Sequence, residues 1–233
     1  MMNEISKTTT VIVIGGGSFQ GKSLIALKIA YDFKIPNILC TDMIRNILHA
    51  LNPSAPYYST STYLMKQEDL EIQMRKVSNV IRNLLVIYEK RGENLIIEGM
   101  HLSKDFINYL SKKDNVIMFA LNNELSFEKR LRYKSLTRKK VEYFDPKTNC
   151  IKYGPLTEDN IPFTRYVKHV TRINEIHLQI SEWYKESGAF VINFENIEQA
   201  YQEIKKIIKT NLPATADNKR VSGSGFQPSP KSP

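Results

Sequence analysis

Val11-Ile12-Val13-Ile14 is an unbroken aliphatic run, the pattern of a strand buried on both faces. Shorter apolar runs at Asn37–Cys40, Asn94–Glu98, Asn115–Leu121 and Ala189–Asn193 predict four more strands. Helical patterns fill most of the intervals. One extends to about Phe33, and a short one starts at Asp42. Leu70, Met74, Val77, Ile81, Leu84 and Tyr88 recur at steps of three and four before Gly92. A basic helix is expected over about Glu124–Lys140. Tyr166, Val170, Ile173, Ile180 and Trp183 mark another helix, ended by Gly188, and Ile197–Ile208 a last one. Alternating strands and helices predict an α/β domain over 11–212, a parallel sheet with helices on both faces. Residues 1–10 read as an extension. Residues 213–233, with four prolines and four serines, are too poor in apolar groups to offset ordering entropy and read as a disordered tail. Pro146, Gly154, Pro155 and Pro162 make 141–163 an irregular insertion, with a hairpin expected around Asp145–Asn149.

Composition narrows the class. Of 233 residues, 42% are hydrophobic, enough for a full core. No apolar run approaches the ~20 residues of a membrane span, and the two cysteines, Cys40 and Cys150, exclude a disulfide framework. A cytoplasmic location and no membrane partner are expected. The oligomeric state is not encoded in any pattern. Lys and Arg exceed Asp and Glu by 33 − 24 = 9. That excess suits an anionic partner such as a phosphorylated metabolite, a nucleotide or a nucleic acid.

Four of the ten glycines fall within residues 15–21, and Gly16-Gly17-Ser18-Phe19-Gln20-Gly21-Lys22-Ser23 fits G-x-x-x-x-G-K-[ST] throughout. A buried strand precedes it and a helix follows. Such a loop turns successive backbone N–H groups inward around a phosphate, at the positive end of the helix dipole. Lys22 supplies a cation for the β- and γ-phosphates and Ser23 a hydroxyl for Mg²⁺. Nucleotide-binding residues are therefore Gly16, Gly17, Ser18, Phe19, Gln20, Gly21, Lys22, Ser23 and Leu24. No N-K-x-D guanine reader occurs, which favours ATP.

Asp42 and Arg45 stand where the second strand gives way to a helix, the crevice side of an open parallel sheet. Asp42 is placed to take a hydroxyl proton or help position the metal, and is also a candidate helix N-cap. Arg45, on the same helix face, offers a fork for a carboxylate or phosphate. Glu98, ending the apolar Leu95-Ile96-Ile97 strand before Gly99, is a second candidate on the Mg²⁺ side, and His101 a candidate lining residue of the acceptor pocket. Seven basic residues lie between Lys129 and Lys140, with Arg130, Lys134 and Arg138 in one stripe. Arg165, His169 and Arg172 form another. Two basic helices flanking a connection read as a lid over about 124–175, with arginines such as Arg130 and Arg172 neutralising transition-state charge.

These segments resemble the P-loop kinases of the 2-phosphoglycerate kinase group. The likeness runs through Ile14–Ser23, Cys40-Thr41-Asp42-Met43-Ile44-Arg45, Ser59-Thr60-Ser61-Thr62-Tyr63, Ile96-Ile97-Glu98-Gly99-Met100-His101-Leu102, Glu128–Arg132, Arg172-Ile173 and Ala189–Asn193. The resemblance implies a five-stranded parallel sheet of nucleoside-kinase type with a helical lid. It also implies ATP and Mg²⁺ as cofactors, and transfer of the γ-phosphate to the 3-hydroxyl of 2-phosphoglycerate. Taken with the residue readings above, Lys22, Asp42, Arg130 and Arg172 are expected in catalysis, Asp42, Arg45, Ser61, His101 and Arg138 in acceptor binding, and Ser23 and Glu98 at the metal. Phe19-Gln20 departs from the smaller residues usual at the loop tip. Two alternatives stay open, a kinase acting on RNA or aminoacyl-tRNA and a nucleotide-binding regulatory protein without transfer activity.

Overall fold

The computed structural model describes residues 9–58, 60–136, 141–145, 150–154 and 167–211. Five parallel strands form the main sheet: β1 (Val11–Gly15), β2 (Asn37–Cys40), β3 (Leu95–Glu98), β4 (Val116–Asn123) and, last in the chain, β7 (Phe190–Phe194). Their spatial order is β2-β3-β1-β4-β7. A pair of antiparallel strands, β5 (Val141–Asp145) and β6 (Cys150–Gly154), makes the expected hairpin inside the insertion; its tip, 146–149, lies outside the described residues.

The aliphatic alternation of β1 explains the layers. Val11 and Val13 belong to one core and Ile12 and Ile14 to the other, and all four are fully buried. Burial stabilises by about 1.5–3 kcal/mol for each such side chain. Helix α1 (Lys22–Phe33) and helix α7 (Ile197–Asn211) cover the isoleucine face. The valine face packs on α3 (Gln67–Arg91), α4 (Lys104–Leu110) and α6 (Val170–Glu186). Helix α2 (Thr41–Leu51) follows β2, contributing Ile44 to that second core.

Parallel register puts the chemistry on one rim. Glu98 of β3 stands opposite Ile14 of β1 and Cys40 of β2. The phosphate loop, the start of α2 and the turn after β3 therefore leave the sheet side by side, where ligand crevices of such sheets lie.

The structure adjusts several expectations. Helix α4 is additional to the sequence reading: Ser103 caps it, its side chain accepting the Phe106 N–H, while Phe106, Ile107 and Leu110 are buried. The basic helix starts later than expected, and 137–140 lie outside the described residues. Strand β4 runs to Asn123, and α5 spans Phe127–Leu136. The last strand is shifted by one residue. Asp42 is not the N-cap of α2. Cys40 holds that position and Asp42 lies in the first turn, where its charge complements the helix dipole. Arg138, Arg165 and the tail from Pro213 lie outside the described residues. No described helix is long and apolar enough to cross a membrane.

Candidate active site

The phosphate loop connects β1 to α1. Gly21 precedes α1, and no side chain caps the helix. First-turn N–H groups there are orphans that a phosphate would satisfy. Lys22 folds back so that its ammonium donates to the Gly17 carbonyl at 2.5 Å. Gln20 is fully buried, and its Oε1 accepts the Asn123 N–H at 2.6 Å, tying the loop to the end of β4. Phe19, with φ at 64°, sets its ring edge-on against Phe127 of α5, centroids 5.3 Å apart. The Arg130 guanidinium in turn covers the Phe127 ring. Leu24, the last of the expected nucleotide residues, has a half-exposed side chain on α1.

His177, which sequence reasoning missed, supports the loop from below. Its Nδ1 accepts the Gly17 N–H at 3.1 Å, and its Nε2 lies 3.2 Å from the Asn122 Oδ1. This pattern fixes a neutral ring with its proton on Nε2. Burial foremost, then the charges of Arg130 and Lys22, push its pKa down to about 4. Arg130 is itself half-buried, its Nε lacks a hydrogen-bond partner, and burial lowers its pKa. Two cations thus converge on the loop, a favourable field for an anion. A Cβ on Gly17 would sit 2.5 Å from the His177 Cβ, so only glycine allows this approach.

At the residues expected to take the metal, the Ser23 hydroxyl donates to Glu98 Oε1 at 3.2 Å, and Glu98 is buried. Burial, then a hydrogen bond to Glu98, pushes the Cys40 thiol up to about 11, so it stays protonated. No cluster of three or more His, Cys, Asp or Glu able to hold a metal occurs among the described residues. A hydroxyl beside a carboxylate nonetheless fits Mg²⁺, which takes one or two protein groups and otherwise phosphate oxygens and water.

Across from the loop lies a cavity of about 690 Å³, within the range of small-molecule sites. Ser18, Asp42, Arg45, Ser61, Thr62 and His101 are among its lining residues, so it gathers the expected acceptor residues that are described. Arg45 donates to the main-chain carbonyls of Thr60 at 2.7 Å and Tyr58 at 3.5 Å, while burial lowers its pKa against the pull of Asp42. Arg172 is the exception to this convergence. Its guanidinium is held by Gln67 Oε1 at 3.0 Å and Glu175 at 3.4 Å, joining α6 to the start of α3. His169 of the same basic stripe packs on the Tyr63 ring.

No protein-family model matches the chain. The 2-phosphoglycerate kinase of Methanothermobacter thermautotrophicus is 26% identical over 224 residues, covering 88% of this chain and 68% of that protein. The 2-phosphoglycerate kinase of Thermococcus kodakarensis is 27% identical, covering 82% of this chain and 63% of that protein. The chain thus spans about two-thirds of the length of these two relatives. A solved structure of a candidate kinase from Chloroflexus aurantiacus superposes with a TM-score of 0.50 at 11% identity, covering 88% of this chain and 100% of that one. The fold is that of a P-loop kinase, and the curated proteins that the chain resembles over most of its length include several 2-phosphoglycerate kinases.

Proposed function

We propose that the chain is an ATP-dependent kinase that transfers the γ-phosphate to a hydroxyl of a small phosphorylated acid of the 2-phosphoglycerate type. The observation that carries this reading is convergence on one rim. The phosphate loop, the Ser23–Glu98 pair and the cavity lined by Asp42 and Arg45 all lie at the carboxyl ends of β1, β2 and β3.

Backbone amides of residues 16–23 bind the triphosphate, and Lys22 moves from the Gly17 carbonyl to the β- and γ-phosphates. Ser23 and Glu98 would hold Mg²⁺, which when bound neutralises phosphate charge. Asp42 orients the acceptor hydroxyl and receives its proton. The acceptor oxygen bonds to the γ-phosphorus as the bond to the bridging oxygen breaks, and ADP departs. Arg45 grips the acceptor's anionic group, and Arg130 offsets charge on the transferring phosphoryl group. The similarity to 2-phosphoglycerate kinases supports the 2-phosphoglycerate assignment.

A cavity of about 690 Å³ favours a small molecule over an RNA groove. The contact of Glu98 with Ser23, and the lining of one cavity by Asp42 together with Ser18 and Phe19 of the loop, favour transfer over binding alone. The test is ADP release under MgATP with 2-phosphoglycerate, nucleoside monophosphates or RNA as acceptor. Turnover with 2-phosphoglycerate is expected, and Lys22→Ala is expected to lower kcat by about a hundredfold or more, the scale for losing one preorganised charge contact. Full activity of Lys22→Ala would end this reading.

A further inference from the structure

Phe19 and Gln20, the two larger residues at the tip of the phosphate loop, both reach the chain that leads from β4 into α5. Gln20 is fully buried, and its Oε1 accepts the Asn123 N–H at the end of β4. The Phe19 ring meets the Phe127 ring edge-on, with an interplanar angle of 80° and centroids 5.3 Å apart. Phe127 opens α5, and the Arg130 guanidinium carbon lies 5.7 Å from the centroid of its ring. Arg130 is the third residue after Phe127, a spacing that sets helix side chains beside each other. The proposed reaction calls on Arg130, and nothing in it accounts for an aromatic at the loop tip.

We propose that Phe19 is a positioning residue that, through the Phe127 ring, holds the Arg130 guanidinium toward the phosphate loop. This deepens the kinase reading and rests on it. An arginine side chain has many rotamers, and its charge speeds transfer only when already aimed at the group it stabilises. Among the described residues no carboxylate pairs with Arg130, and its Nε is buried without a hydrogen-bond partner. The Phe127 ring is the contact that orients it, at a distance where a ring attracts a cation. The direction is toward the loop. The charge of Arg130 helps to keep the His177 imidazole neutral, and that imidazole accepts the Gly17 N–H.

The backbone carries a second observation. Phe19 has φ of 64°, in the left-handed region that glycine enters freely and a bulky aromatic enters only with strain. The curvature of the loop requires that angle, and the residue type works against it. A ring kept at a strained position points to a role for its side chain. With Gln20 tied to Asn123 and Phe19 packed on Phe127, two successive residues fasten the loop tip to the start of α5. Phe19 also lines the acceptor cavity, where its ring could serve as a wall. The two roles separate kinetically, because a wall acts on the acceptor KM and a positioning residue on kcat.

Kinetics and a spectroscopic readout that needs no acceptor test the inference. With MgATP and 2-phosphoglycerate, Phe19→Ala should lower kcat about tenfold or more while the acceptor KM and MgATP affinity stay within about threefold. Phe19→Gly, which relieves the backbone, should be as slow, whereas Phe19→Tyr, which keeps the ring, should retain most of the rate. The double variant Phe19→Ala/Arg130→Ala should be no slower than Arg130→Ala alone. In NMR spectra of the protein without ligands, the Arg130 Nε–H resonance should carry the ring-current shift of Phe127, and Phe19→Ala should move it as Phe127→Leu does. Wild-type kcat in Phe19→Gly overturns the proposal, as does a raised acceptor KM at unchanged kcat in Phe19→Ala. Multiplicative losses in the double variant, or an Arg130 resonance that Phe19→Ala leaves in place, overturn it equally. Wild-type turnover by Arg130→Ala would instead overturn the role assigned to Arg130. Absence of turnover by the wild type on any acceptor would refute the kinase reading, and the resonance would still report whether Phe19 holds Arg130.

Discussion

Acid should weaken this fold through His177. The native ring is neutral, its Nδ1 occupied by the Gly17 N–H, and its pKa is pushed down to about 4. In the unfolded chain the same group returns to its ordinary value of 6.5. Between these values the unfolded state binds the extra proton, so stability falls as pH drops from 6.5 toward 4, and the contribution is intact above 6.5. At about 1.4 kcal/mol for each tenfold in proton affinity, the gap amounts to about 3 kcal/mol, of which about 2 kcal/mol is lost between pH 7 and pH 5. His177→Asn is the informative variant, because its amide oxygen can replace Nδ1 as acceptor for Gly17 without titrating. Urea unfolding of both proteins at about pH 7 and about pH 5 gives the comparison. The wild type should lose about 2 kcal/mol more than the variant. Parallel losses, agreeing within about 0.5 kcal/mol, would refute a buried neutral imidazole under the loop.

Two further changes probe neighbouring parts of the site. Gly17→Ala forces a methyl against His177, and overpacking of this kind costs about 1–3 kcal/mol; a thermal melt should show the drop, together with weaker nucleotide binding by titration calorimetry. Under the proposed function, Arg45→Ala removes a charged hydrogen-bonding partner of the acceptor. It should raise the acceptor KM roughly tenfold or more while changing the KM for ATP little, as steady-state kinetics would show.

Much of the architecture was legible because it is local. A continuous β-branched run and a glycine-rich loop before a helix need only neighbouring residues, and β1, the loop and α1 stand where the pattern puts them. The 25-residue α3 showed through its repeated apolar spacing. Helix α4 was harder to see, since seven residues give one apolar face with little periodicity. Its signal was Ser103 placed three residues before Phe106 and four before Ile107. His177 left a fainter trace, a polar residue between Ile173 and Ile180 on the buried face of α6.

Sequence alone determined the glycine-rich loop between a strand and a helix, the five strands of the main sheet and most of the helices between them, and the types of side chain available at each strand end. Tertiary structure alone decided which of them meet. His177 lies 160 residues from Gly17, Glu98 75 residues from Ser23, and His101 39 residues from Thr62. It also turned Arg172 toward α3 instead of the loop. The reason is that side-chain periodicity specifies which face is buried. Which distant groups share a rim is set by the register of parallel strands and the packing of helices against them, and no local pattern records that.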